Sequence, residues 1–137
     1  MSCLFCKIIL KEIPSEILFE NEKAISILDI NPIHFGHALV IPKNHSSNFL
    51  DVNKGDLQGI MEAVHTVSTA IFKELKLEGM NFFTNTGEIA GQSIFHFHIH
   101  IIPRYEDDKI KFFNSLKKYE ANELSLYANR IRNSINT

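Results

Sequence analysis

Short apolar runs and one long periodic stripe follow each other along the chain. Ile17-Leu18-Phe19-Glu20 and Ala24-Ile25-Ser26-Ile27-Leu28 predict two strands, with Asn21-Glu22-Lys23 as the turn between them. Asn31-Pro32 breaks the second strand. Ala38-Leu39-Val40-Ile41 predicts a third, apolar throughout and ended by Pro42. Leu57, Ile60, Met61, Val64, Ser68, Ile71 and Leu75 recur every three and four residues, which predicts one long helix. Asn53 with Asp56 predicts its N-terminal cap, and Gly79 its stop. Residues 80–84 and 93–102 predict a fourth and a fifth strand. A short helical turn is expected over 4–10, closed by Pro14. A second, weaker helix, charged on one side, is expected over 116–135. The order β-β-β-α-β-β with a helical tail predicts an α+β fold with a mostly antiparallel five-stranded sheet.

Composition narrows the class. With 137 residues, 45% of them hydrophobic and 22% charged, the chain is long enough for its own core. One domain over 1–137 is expected, with a divergent helical tail at about 105–137. Disorder and fibrous repeats are excluded as the main reading. Fourteen Lys+Arg against sixteen Asp+Glu give a net charge of -2, so no nucleic-acid partner is expected. No apolar run approaches the ~20 residues of a membrane span, so no membrane partner is expected either. The apolar start is too short for a leader. Two cysteines, Cys3 and Cys6, fit a cytoplasmic chain better than a secreted disulfide scaffold.

Chemistry concentrates in His96, His98 and His100. If they share a strand, alternation puts all three imidazoles on one face, ~7 Å apart. Phe97, Ile99 and Ile101 then share the other face and pack on the long helix. Burying three unpartnered imidazoles is costly, so an open polar cleft is expected. Imidazole serves as nucleophile, acid or base, phosphate donor or metal ligand. A flat i, i+2, i+4 row spans too far for one ion, which favours divided labour. The alternative is a metalloenzyme with His96 and His98 as an i, i+2 ligand pair. No carboxylate follows that pair, and the long helix interrupts an all-β barrel. Upstream, Asn85-Thr86-Gly87 and Ala90-Gly91-Gln92-Ser93 form a donor-rich turn suited to an anion such as phosphate. Gly91 lets backbone approach a ligand closely. Cys3-x-x-Cys6 has metal-ligand spacing but supplies half a site. Its alternatives are a redox pair, without the usual βαβ setting, and two buried apolar thiols beside Leu4-Phe5. His34 is expected at the surface and His65 at the edge of the helix stripe. Lys43 and Arg104 bracket the cleft and are read as solvated charge.

His96-Phe97-His98-Ile99-His100-Ile101-Ile102 resembles the signature of the histidine triad (HIT) family of nucleotide hydrolases and transferases, its bacterial Hint-like branch in particular. Leu28-Asp29-Ile30-Asn31-Pro32, Gly36-His37-Ala38-Leu39-Val40-Ile41-Pro42-Lys43 and Gly91-Gln92-Ser93 follow the family's order, from residue 3 to about 104. The resemblance implies a nucleoside 5′-phosphoryl substrate, with a purine base expected. It implies that His98 attacks the α-phosphorus and forms a nucleotidyl-histidine, which water then cleaves to release a nucleoside monophosphate. It assigns the catalytic set His98, His100, His96, His37, Ser93 and Gln92, with Asn85 as a further donor. Ser93 matches the leaving-group side, Asp29 the ribose ligand and Ile30 the base pocket; Gly91 lies against the nucleotide. Relatives with a similar Cys-x-x-Cys imply a structural zinc held by Cys3, Cys6, His45 and His96. In that case His96 is scaffold. No cofactor is implied for catalysis. A homodimer is implied by pairing of the long helices and adjoining strands. A nucleotide-binding adaptor with incidental turnover is the alternative function.

Overall fold

The computed structural model describes residues 3–112 and 115–135. Its elements are α1 (Leu4–Ile9), β1 (Ile17–Glu20), β2 (Ala24–Leu28), β3 (Ala38–Pro42), α2 (Leu57–Glu74), β4 (Gly79–Phe83), β5 (Ile99–Arg104) and α3 (Glu123–Ile135). The five strands form one sheet in the order β1-β2-β3-β5-β4, every neighbour antiparallel. This is the expected α+β architecture.

The apolar runs explain the centre of the sheet. β2 and β3 are buried on both faces, which is why they read as near-continuous apolar segments. On one face Ala24, Ala38, Val40, Phe97 and Ile101 pack against Ile60, Ala63, Val64 and Val67 of α2. On the other, Ile25, Ile27, Leu39 and Ile41 pack against Phe5 and Ile8 of α1. The turn before β2 is fixed by the Asn21 side chain, whose Oδ1 accepts from the Lys23 and Ala24 N–H groups at 2.8 and 2.9 Å.

Several boundaries differ from the sequence expectation, each for a local reason. The fifth strand begins at Ile99, not at 93. Its pairing with β3 starts at Val40, because Pro42 has no N–H to donate. The chain before it is tied elsewhere, with the Phe97 N–H on the Ser46 carbonyl at 2.8 Å. The helix α2 starts at Leu57. Asn53 caps a 3-10 turn at Lys54–Asp56 instead, and the Asp56 carboxylate takes the Asn44 amide and the Lys23 ammonium at 2.8 and 3.0 Å. The buried stripe turns toward Ala63 and Val67, leaving Met61 and Leu75 exposed. Gly79 does not end α2: Leu75 caps it, Lys76 takes the left-handed conformation at φ 53°, and Gly79 opens β4. The tail helix begins at Glu123, whose carboxylate caps the Glu120 N–H at 2.7 Å. It buries none of its residues.

Arg104 and Lys43 are not free solvated charge. Arg104 grips Asp108 through Nε and Nη2 at 2.7 and 2.9 Å, and donates to Asn81 and to the Ile110 carbonyl. The guanidinium holds the Asp108 carboxyl well below the usual range. Lys43 pairs with Glu20 at 2.6 Å. His34 is half-buried against the Tyr105 ring, 4.4 Å between centroids, not freely exposed. Among the described residues, no helix is long and apolar enough to cross a membrane.

Candidate active site and metal centre

The three triad histidines do not form one row. Only His100 lies in β5; His96 and His98 sit in the irregular approach to it. His96 turns into the protein and is fully buried, while His98 and His100 stay together at the cleft with ring centroids 4.9 Å apart. The backbone therefore sets His96 apart from the His98–His100 pair.

His96 faces Cys3, Cys6 and His45. Its Nδ1 lies 3.4 Å from Cys3 Sγ, 3.6 Å from Cys6 Sγ and 3.1 Å from His45 Nδ1. Cys6 Sγ is 3.4 Å from His45 Nδ1. A tetrahedral ion with ~2.3 Å bonds to sulfur and ~2.0 Å bonds to nitrogen needs S···N edges of about 3.5 Å and N···N edges of about 3.3 Å. The observed spacings match those edges. The His96 tautomer matches too. Its Nε2 lies 2.8 Å from the Pro42 carbonyl, which only accepts, so Nε2 carries the proton and Nδ1 offers its lone pair to the cluster. Burial, and then the neighbouring Cys3 thiol, push the Cys6 thiol up to about 11. A cation between the two sulfurs reverses that cost by favouring thiolates. The four side chains thus fit a closed metal centre.

A second cluster, Asp29, His37 and His100, brings its ligand atoms within 4.8 Å of one another but has the wrong proton arrangement for an ion. The Ile33 N–H donates to His37 Nδ1 at 3.0 Å, so in the neutral ring Nε2 carries the hydrogen. That Nε2–H points at His100 Nδ1, 3.0 Å away, with Asp29 Oδ2 at 3.6 Å. His100 Nδ1 is then an acceptor, and its Nε2–H is left as a donor. Burial lowers the His37 pKa below its ordinary value. Burial, followed by the neighbouring His98 and His37 rings, takes His100 down to about 3. Both rings therefore stay neutral donors near neutral pH. Phe83 stacks on His100 at 4.5 Å and holds its plane.

His98 has the remaining role. Its Nδ1 lies 2.7 Å from the His96 carbonyl, an acceptor only, so Nδ1 carries the proton and Nε2 keeps the lone pair. Burial also keeps this ring's pKa low. The cleft beside it is about 240 Å³ and is lined by Leu4, Phe5 and Ile8 of α1, by Asp29 and Ile30, and by His98 and His100. Asp29 is half-buried there, with one carboxylate oxygen accepting from the Asn31 N–H at 2.8 Å. Ile30 is 86% exposed, an open flap more than a closed pocket wall.

The family model described as the HIT domain matches residues 10–107. The chain belongs to the HIT family. The Protein hit of Bacillus subtilis is 44% identical over 104 residues, 76% of this chain and 72% of its own. The adenosine 5′-monophosphoramidase HNT1 of Saccharomyces cerevisiae is 39% identical over 77% of this chain and 65% of its own. The adenylylsulfatase HINT3 of Arabidopsis thaliana is 40% identical over 85% and 59%. The solved structure of a Bacillus subtilis HIT family member superimposes with a TM-score of 0.89 at 37% identity, covering 97% of this chain and 96% of that one. The structural likeness thus runs past residue 107 into the tail.

In this HIT protein the turn before the triad is more constrained than its sequence suggests. Gln92 is buried and spends its amide on the loop: Oε1 accepts from the Gly87 N–H at 2.9 Å, and Nε2 donates to the Ser47 and Ile94 carbonyls at 2.6 and 3.2 Å. Both amide hydrogens are used, so Gln92 shapes the turn and has none left for a phosphate oxygen. Ser93 is exposed. Gly91 sits at φ +97° with the Asn85 amide 3.4 Å from where a Cβ would stand, so neither strain nor space favours a side chain. Two contributors carry no mark in the sequence: Phe5, whose ring packs on His98, and Thr84, whose hydroxyl donates to the His98 carbonyl at 2.6 Å. A phenylalanine between two cysteines and a threonine ending a strand carry no chemical signature of their own.

Proposed function

We propose that this HIT protein is a nucleotide hydrolase or transferase that cleaves the α-phosphorus bond of nucleoside 5′-phosphoramidates or (di)nucleoside polyphosphates. His98 Nε2 attacks the α-phosphorus, the amine, sulfate or phosphate leaving group departs with the bonding electron pair, and a nucleotidyl-His98 forms. Water then attacks the same phosphorus, the P–N bond to His98 breaks, and a nucleoside monophosphate is released. The hydrogen bond from His98 Nδ1–H to the His96 carbonyl carries this reading, because it leaves Nε2 as the lone pair and steadies the ring as it becomes positively charged. His100 Nε2–H is suited to donate to a phosphoryl oxygen, and the Asp29 carboxylate to accept from ribose hydroxyls. Ser93 is assigned to the leaving group; Asn85, Gly91 and Gln92 form and brace the turn beside it. The apolar walls suit a purine. The names of the yeast and plant relatives support a 5′-adenylyl group joined to a displaceable amine or sulfate.

The test is a quenched reaction with adenosine 5′-phosphoramidate and, separately, a dinucleoside polyphosphate, followed by peptide mapping. The expected product is an adduct on His98. An adduct on another residue, or turnover without any adduct, overturns the mechanism. Monophosphate binding with no turnover of either substrate favours the adaptor reading.

We also infer that Cys3, Cys6, His45 and His96 hold a structural zinc, which ties α1 to the loop carrying His98. The assembly is inferred to be a homodimer. β4 is a free sheet edge with Phe82 exposed, and Met61 and Phe72 are exposed on α2. Leu124, Tyr127, Ile131 and Ile135 form an uncovered stripe on α3. Sedimentation velocity at micromolar concentration is expected to give twice the chain mass; a monomer refutes the pairing.

A further inference from the structure

The four-ligand cluster and the cleft are joined through two short connections. Cys3 caps the N-terminus of α1, with its sulfur accepting from the Cys6 N–H at 3.4 Å, so both sulfurs belong to one rigid turn. Phe5 lies between them in sequence and is buried in the core cluster against which Cys3 also packs. Its ring meets His98 edge-on at 4.9 Å and His96 at 5.9 Å. The other connection is the peptide from His96 to His98. The His96 side chain is fixed by the Pro42 carbonyl and by the cluster, and its own carbonyl accepts the His98 proton at 2.7 Å.

Every restraint on the His98 ring from this side therefore originates in a residue that is, or adjoins, a cluster ligand. The carbonyl selects the tautomer, and the phenyl ring lies edge-on against the imidazole that the carbonyl holds. Without a metal, four converging donors at these distances lose their common partner, and α1 is left to its apolar packing, chiefly that of Phe5 and Ile8.

We propose that the metal centre and Phe5 form one positioning device for His98, in which metal loading fixes the orientation and tautomer of the imidazole while taking no part in the reaction. The proposal rests on the reading of His98 as nucleophile, but it is tested in the resting protein. Phe5 is a positioning residue here.

The experiment is two-bond 15N–1H correlation NMR of the His98 ring in three samples: metal-loaded protein, the same protein after chelation, and metal-loaded Phe5→Leu. The spectra are taken without substrate, at a pH where the ring is neutral. Leucine keeps this site apolar while removing the ring. The loaded wild type is expected to hold a single Nδ1–H tautomer. Chelated protein and Phe5→Leu are both expected to show a mixture with the Nε2–H form, the latter with its metal content unchanged. Single-turnover adduct formation in Phe5→Leu should slow on the order of tenfold to a hundredfold, as a small misplacement of the attacking atom dictates. If chelated protein and Phe5→Leu both keep the pure Nδ1–H tautomer, the positioning device is refuted. If Phe5→Leu does not fold, the chelated wild type decides by the same spectrum. An adduct mapped away from His98 would overturn the nucleophile reading while leaving the tautomer result standing, so the two failures are distinguishable.

Discussion

His98→Ala is expected to lower turnover of adenosine 5′-phosphoramidate by on the order of 10⁴-fold or more, the scale of losing a covalent nucleophile. Binding of the nucleoside monophosphate should change little. The groups that would bind it come from separate elements: Phe5 and Ile8 from α1, Asp29 and Ile30 from the loop after β2, His100 from β5. The alanine also leaves the fold's main supports alone, since Phe97 and Ile101, before and after it in sequence, both remain packed against α2. The effect should therefore fall on kcat and not on the dissociation constant measured by equilibrium dialysis. No other histidine near the cleft can substitute. His37 spends its hydrogen and His100 its lone pair on their shared contact, which leaves His100 only an N–H toward the cleft, and His96 directs its lone pair away into the sulfur cluster. Turnover that survives the substitution would remove His98 from the reaction.

That proton pattern marks how far a sequence can be read. β2, β3 and the helix α2 were legible because long apolar runs and a 3.6-residue period report burial directly. The stripe on α2 was placed slightly wrong because Ala63 and Val67 are weaker hydrophobic signals than Met61 and Leu75, although the smaller pair lies against the sheet. His98 and His100 were legible as one side of a cleft. His96 was not, because alternation assumes a strand, and the strand starts only at Ile99. What removes His96 from the row is long-range: Pro42 offers no N–H to extend the pairing, and its carbonyl captures the imidazole. The engagement of the Gln92 side chain was hidden for a related reason. Its donors were legible, but the Ser47 carbonyl that uses one of them lies in a distant segment. The Cys3, Cys6, His45 and His96 grouping came from resemblance; the distances now supply a reason for it that spacing alone could not.

His45→Ala gives the sharpest test of that grouping. His45 is exposed, so its truncation opens no core cavity, and a surface change of this kind normally alters stability by no more than about 0.5 kcal/mol. If His45 is a metal ligand, the cost is instead that of weakened metal binding. An ion that binds only the folded chain, at a free concentration about a thousand times its dissociation constant, stabilises by about 4 kcal/mol. For a domain of this size 1 kcal/mol corresponds to roughly 3–5 °C of melting temperature. A fall of roughly 12–20 °C is expected, together with loss of bound metal measured by elemental analysis. Cys3→Ala should produce the same pair of changes, and chelation of the wild type should bring its melting temperature down to that of the variants. The comparison separates metal binding from packing: Cys3 is half-buried and packs on the apolar core, whereas His45 is exposed and touches Cys6 and His96 of the cluster itself, so equal losses at both point to a shared ion. Wild-type protein that is metal-free as purified, yet melts at the same temperature as His45→Ala, would mean that the four side chains converge without holding one.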